Sequence, residues 1–285
     1  MPTPRSSSLG ICGRRRSRFI FPLHDDALAL STAASRLPLQ ATYSSSASSH
    51  RWKRRQHADH FVQESKEQGL LSRAAFKLIE IDEKHKLFKP AQTVIDLGFS
   101  PGSWTQVVVD RTAPNGKVIG VDIQPTRPPE GATAVHGDFL RADTLERLRV
   151  HIASLNARGA AQNESPSLSD SLAHSVENSV DVVLSDMLMN TSGVAFRDHS
   201  RSMDLSHAAY AFALQTLKPG GSFVCKFLTG QEDKLLESLL RKGFAVVKRL
   251  KPEASRRESR ENYFVCLKRR HGVSKNEVYN DDMAG

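Results

Sequence analysis

From residue 70 onward the chain alternates short apolar runs with longer stretches of helical spacing. Thr93–Leu97, Lys117–Val121, Ala132–His136, Val180–Ser185, Ser222–Phe227, Phe244–Leu250 and Tyr263–Lys268 are strand-length runs, several with almost no polar break. Trp104–Arg111, Thr144–Leu155, Ser202–Leu217 and Glu232–Lys242 carry apolar residues at helical intervals between them. An earlier helix is predicted over Leu70–Leu87, with Leu71, Ala74, Ala75, Leu78, Ile79 and Leu87 on or near one face. Pro219-Gly220-Gly221 reads as the turn that ends the Ser202–Leu217 helix. Buried strands alternating with helices predict an α/β fold with a mostly parallel seven-stranded sheet covered on both faces. The sequence has no internal repeat.

Three segments break this rhythm. Residues 1–50 hold Arg5, Arg14, Arg15, Arg16, Arg18 and Arg36 among many serines, with only Asp25 and Asp26 as acids. Such an Arg- and Ser-rich, acid-poor start reads as a mitochondrial transit peptide, with Leu28–Leu39 adding amphipathic character; a disordered basic RNA-binding arm is the alternative. Asn156–Ser179, rich in Ser, Ala, Asn and Gln, reads as a low-complexity surface insertion. Residues 271–285 form a polar tail. The folded domain is therefore expected over 51–270.

Composition narrows the class. Of 285 residues, 39% are hydrophobic and 25% charged, ordinary values for a globular protein. The sequence has no apolar run of about 18 residues, so membrane insertion is not expected. A formal charge of +9 and a pI near 9.6 favour a polyanionic partner, RNA first, because cationic side chains displace counterions from phosphates. The cluster Arg51–Arg55, with Trp52 among its cations, suits phosphate contact with stacking, or else a solvated helix face. Cys12, Cys225 and Cys266 show neither pairing nor metal-ligand spacing, which argues for a reducing compartment and no metal site. Cys225 and Cys266 read as core residues.

The candidate chemistry gathers at strand ends. Asp96-Leu97-Gly98-Phe99-Ser100-Pro101-Gly102-Ser103-Trp104 follows the first apolar run and opens a helix. Its glycines, Gly98 and Gly102 flanking Pro101, allow close backbone approach by a ligand; the spacing is not that of a dinucleotide loop. Asp122 ends the second run, where a carboxylate accepts from ribose hydroxyls. Asp138 follows the third, where one accepts from an adenine amino group. Three successive strand ends with Gly, Asp and Asp point to a nucleoside site.

Ser72-Arg73-Ala74-Ala75-Phe76-Lys77-Leu78, Asp96–Trp104, Ser185-Asp186-Met187 and Ser255–Tyr263 together resemble the FtsJ-type RNA ribose methyltransferases. The resemblance runs from about Arg51 to Arg269, interrupted by the Asn156–Ser179 insertion. It implies a Rossmann-like methyltransferase fold and S-adenosylmethionine as cofactor, lined by Gly98, Pro101, Gly102, Trp104, Asp122, Asp138 and Asp186. It also implies a reactive tetrad of Lys77, Asp186, Lys226 and Glu261, with Lys226 as base and Asp186 orienting it, while Lys77 and Glu261 position the ribose. With the presequence, the chain is similar to the mitochondrial branch that methylates a uridine of large-subunit rRNA, in the matrix.

Pattern alone supports these four residues unequally. Lys226 interrupts the apolar run Val224-Cys225-Lys226-Phe227 and Asp186 follows Val182–Leu184, whereas Lys77 and Glu261 look like surface charges. Arg73, Arg256, Arg257, Arg260 and Arg51–Arg55 are expected to form a basic rim. His199, Arg201 and Asn190–Gly193 are expected in a substrate-facing loop after Asp186. Phe99, Ser100 and Ser103 replace smaller family residues, and Leu188-Met189 stands where Ala-Pro is common. Three rivals remain open: methylation of a tRNA or cap-adjacent ribose, a non-catalytic rRNA-binding assembly factor, and a nicotinamide oxidoreductase. The missing dinucleotide loop and Lys226 count against the last.

Overall fold

A computed structural model describes residues 59–157 and 176–273, together with residue 278. The candidate transit peptide, the Arg51–Arg55 cluster, most of the predicted insertion and most of the polar tail lie outside the described residues. The elements run α1 (His60–Glu67), α2 (Ala74–His85), β1 (Thr93–Leu97), α3 (Ser103–Thr112), β2 (Lys117–Asp122), β3 (Ala132–His136) and α4 (Ala142–Ala157). They continue with β4 (Val180–Ser185), α5 (Ala195–Thr216), β5 (Leu217–Leu228), α6 (Asp233–Gly243), β6 (Phe244–Leu250) and β7 (Glu261–Arg269).

The seven strands form one sheet in the order β3-β2-β1-β4-β5-β7-β6. The first five pair in parallel. The sheet is mostly parallel, as expected, and becomes mixed toward its far edge, where β7 runs antiparallel to both β5 and β6. The sheet is mixed, because the chain returns from β6 through a ten-residue loop with no crossover helix and slots β7 between its neighbours. A consequence for the site follows at once. Reversal places the first residues of β7 beside the carboxyl end of β5, pairing Glu261 with Leu228 and Tyr263 with Lys226.

Alternate residues of each strand feed two cores. Ile95, Ile119, Val183, Phe223 and Cys225 face one side with α4, α5 and α6. Val94, Val118, Val182, Val224 and Val265 face the other with α2 and α3. Helices therefore cover both faces, as expected. Cys225 and Cys266 are free and fully buried, and burial pushes the Cys225 thiol up to about 12.

Helix boundaries differ from expectation at the amino-terminal end. The Leu70–Leu87 prediction shortens to α2, preceded by a separate α1, because Gly69 adopts φ +68 and Ser72 Oγ accepts the Ala74 amide at the new start. Leu71, expected on the apolar face, is 53% exposed. The predicted Pro219-Gly220-Gly221 turn lies within β5 as a bulge. Val180 pairs with Leu217 but Val182 with Ser222, so three extra residues loop out of the strand there. Asn156 and Ala157, assigned to the insertion, complete α4.

Candidate active site

Strand order reverses between β1 and β4, since β2 and β3 extend one way and β5 the other. Crevices at the carboxyl ends of such strands are where open α/β sheets take ligands. Here the two loops meet closely: the Asp186 amide donates to Leu97 O at 3.1 Å, and the Gly98 amide to Val121 O at 2.8 Å. Gly98 has φ +78, and a Cβ there would lie 2.7 Å from Met187 Cγ and 2.9 Å from Met187 Cα. Only glycine lets the β1 and β4 loops pass this near each other.

On the α2 and α3 face, four charged side chains meet around a tyrosine. Lys77 Nζ lies 2.6 Å from Glu261 Oε1, and Lys226 Nζ lies 2.9 Å from Asp186 Oδ1. Tyr263 bridges the pairs, donating to Asp186 Oδ1 at 2.8 Å and lying 3.4 Å from Lys77 Nζ. Lys226 also donates to Asp186 O at 2.5 Å, and Ser255 Oγ to Glu261 Oε1 at 2.9 Å. The fold thus brings all four tetrad residues together from α2, the β4 end, β5 and β7. Burial alone would raise the Glu261 carboxyl; the cations of Lys77 and Lys226, with the hydrogen bonds from Lys77 and Ser255, outweigh it and hold the group below its ordinary value. Burial, with Asp186 and Glu261 alongside, pushes the Tyr263 phenol well above its ordinary value and keeps it a donor. Beside Lys77 and Glu261 opens a cavity of about 250 Å³ lined also by Arg73, Arg256 and Ser259.

The expected cofactor residues divide. Asp122 receives the Ser100 amide on Oδ2 at 2.9 Å and the Gln124 amide on Oδ1 at 2.8 Å, which fixes its carboxylate at the β2 end. Asp138 receives the Leu140 amide at 3.0 Å after β3. Gly102, at φ +105, precedes α3, whose first amides have no partner within the helix and suit an anionic group. Trp104 departs from expectation: its side chain is 2% exposed, donates Nε1–H to Ala74 O at 2.9 Å and packs 5.6 Å from Tyr263. That ring braces α2 and Tyr263.

The basic rim also differs from expectation. Arg73 pairs with Asp59 and donates to Ala254 O, so it ties α1 to the β6–β7 loop. Arg260 donates to Thr229 O, and to Ala195 O at 3.1 Å. Arg257 remains exposed. His199 and Arg201 lie on α5, which starts seven residues before its predicted beginning, and His199 is buried. The polar face of that first half concealed it. His199 Nδ1 lies 2.7 Å from Leu228 O, its Nε2 accepts the Glu232 amide at 3.1 Å, and Ser206 donates to Lys226 O at 3.1 Å. These bonds anchor the strand end that carries Lys226.

Sequence reasoning missed Tyr263 and Asp96. Glu261 and Tyr263 are two apart on a strand and share a face, a signal that was available. Asp96, an acid inside the otherwise apolar TVIDL run, is fully buried; Thr105 Oγ1 donates to its Oδ2 at 2.7 Å, while Oδ1 has no partner. The smaller-residue departures are accommodated. Phe99 packs against Gly120 of β2, where a Cβ would come within 2.5 Å of the ring, and Ser103 Oγ bonds Ser72 Oγ at 2.7 Å.

Residues 70–269 match the model of a protein family described as FtsJ-like methyltransferase. The chain is 42% identical over 219 residues to a mitochondrial rRNA methyltransferase 2 of Schizosaccharomyces pombe, covering 77% of this chain and 95% of the relative. It is 42% identical over 220 residues to a ribosomal RNA large subunit methyltransferase E of Novosphingobium aromaticivorans, covering 77% and 88%. Among solved structures, a ribosomal RNA methyltransferase from Plasmodium falciparum superposes with a TM-score of 0.54 at 28% identity, over 70% of this chain and 97% of that one.

Proposed function

The chain belongs to the FtsJ-like methyltransferase family, and on that premise we propose that it methylates the 2′-hydroxyl of a ribose, a uridine's, in large-subunit rRNA of the mitochondrial matrix. One observation carries this reading: the Glu261–Lys77, Tyr263 and Asp186–Lys226 chain of contacts at the β1/β4 crevice. A ribose hydroxyl is a weak nucleophile and needs a proton acceptor and tight alignment. The cluster offers candidates for both.

The residues fit S-adenosylmethionine, whose cationic end would meet the buried, unpartnered Oδ1 of Asp96. Asp122 would accept from its ribose hydroxyls, Asp138 from its adenine amino group, and the first amides of α3 would face its carboxylate. When bound, the cofactor supplies a methyl group on a positively charged sulfur. The chain's own part is to hold the 2′-hydroxyl in line and remove its proton. Asp186 takes its Lys226 and Tyr263 contacts on Oδ1, which leaves Oδ2 to orient the hydroxyl. Lys226 Nζ, once it has released its own proton to solvent, takes the proton of the hydroxyl, and Asp186 holds it in position. Lys77 and Glu261, beside the 250 Å³ cavity, hold the ribose. Mitochondrial and large-subunit relatives support the rRNA assignment.

Lys226→Ala should lower methyl transfer to an rRNA transcript by at least roughly a hundredfold, the scale of a lost general base, while leaving cofactor affinity close to wild type. Mapping of 2′-O-methyl positions in mitochondrial RNA with and without the protein tests the substrate. Wild-type rates in the variant, or an unchanged map, would overturn the assignment.

A further inference from the structure

The loop after Asp186 holds apolar side chains in solvent beside the reactive cluster. Leu188, Met189 and Val194 are all exposed, and Phe196, on the first turn of α5, is 70% exposed. Burying such a ring is worth about 1.5–3 kcal/mol, so a fold that holds it outward forgoes a stabilising contact. The segment is well tied down. Asp198 accepts from the Ser192 amide at 2.7 Å, Ser192 Oγ at 2.8 Å and the Gly193 amide at 3.1 Å. Arg260 donates to Ala195 O at 3.1 Å, so the residue before Phe196 is clamped to the residue before Glu261. The backbone that carries the exposed ring is therefore tied to the segment that leads into Glu261.

Its surroundings indicate the partner. Arg197 and Arg201 are exposed on the same helix, and Arg257 is exposed in the β6–β7 loop that Arg260 ties to Ala195. On a domain whose substrate is RNA, an exposed flat ring with arginines on the same helix suits an unpaired base, by stacking with phosphate neutralisation at the flanks. We propose that Phe196 is a stacking platform for the base of a nucleotide flanking the target ribose, so that the site takes an unpaired RNA segment in preference to a duplex. This rests on the methyl-transfer reading above and specifies its substrate.

The test uses the full chain, an in vitro transcript of large-subunit rRNA, and a short single-stranded fragment centred on the position methylated in it. Phe196→Ala should raise KM for the fragment about tenfold or more, the scale of one lost base–aromatic stack, with cofactor affinity unchanged. Phe196→Trp should restore it and Phe196→Leu should not. An abasic site at the flanking position should reproduce the loss in the wild type and add nothing in Phe196→Ala. Annealing the fragment to its complement should remove activity. A wild-type KM in Phe196→Ala, or full rescue by leucine, overturns the proposal. So does a defect seen only on ribosomal particles, which would make the patch a protein contact. Should the wild-type chain methylate no RNA, the function reading fails by itself, and binding to single-stranded RNA carrying 2-aminopurine still decides the stacking. Quenching by wild type but not by Phe196→Ala supports it; equal fluorescence with both overturns it.

Discussion

Asp96 is the residue whose chemistry least matches its surroundings. It is fully buried, and burial, with Asp186 and Asp122 nearby, pushes its carboxyl up to about 7 although Thr105 donates to it. In the unfolded chain the group ionises near its ordinary 3.8. The folded state thus holds a proton that the unfolded state has lost between these values, and stability falls as pH rises through that window. The cost is complete above about 7. Asp96→Asn should accordingly gain about 1–2 kcal/mol over wild type at pH 8 and little at pH 4, with weaker cofactor binding. Denaturant midpoints at several pH values check this, and a gain independent of pH would refute it. Residues of this kind were partly legible in sequence. Lys226 and Asp186 stood out because a charge inside or just after an apolar run must have a partner. Lys77 and Glu261 had no such mark; α2 and the reversed β7 make them a half-buried pair, and only motif likeness pointed to them.

At the level of elements, six of the seven strands were legible to within two residues because their runs are apolar and short. Two features were not. The start of α5 is hidden because His199, Ser202 and Ser206 face the protein, where backbone partners satisfy them and apolar periodicity has nothing to report. The β5 bulge is hidden because Pro-Gly-Gly spells a turn whether the strand ends there or loops out and resumes. Among loops, the β1 and β4 ends approach each other closely. Gly98→Ala brings both a left-handed backbone and a clash with Met187, and should cost about 2–4 kcal/mol with loss of cofactor binding. Gly220→Ala has φ +83 but open space around it, and should cost only about 1 kcal/mol. Equal costs at the two positions would show that the loop approach carries no weight.

For the whole molecule, the basic character suggested by composition is unevenly spread. Ten of the 40 Lys and Arg but only two of the 31 acids fall in residues 1–58, so the remainder carries 30 cations against 29 anions. RNA affinity cannot then be credited to the folded domain's net charge, and within that domain it falls to the local arrangement around Arg197, Arg201 and Arg257. Replacing Arg51, Lys53, Arg54 and Arg55 together by Gln should flatten the plot of log affinity against log salt by roughly 3, if each meets one phosphate. Fluorescence anisotropy across a salt series measures this; an unaltered slope would assign the phosphate contacts to the domain. The antiparallel placement of β7 has one more consequence, for synthesis. Lys77 and Glu261 stand 184 positions apart, and β7 fills an interior lane that stays vacant while β1 to β6 are being made. A nascent or clipped chain ending before Glu261 would hold Lys77 without its anion and Lys226 without Tyr263 opposite it. Such long-range closure is slow to form, and the reactive cluster stays incomplete until β7 is seated, so methyl transfer itself reports that the sheet is complete.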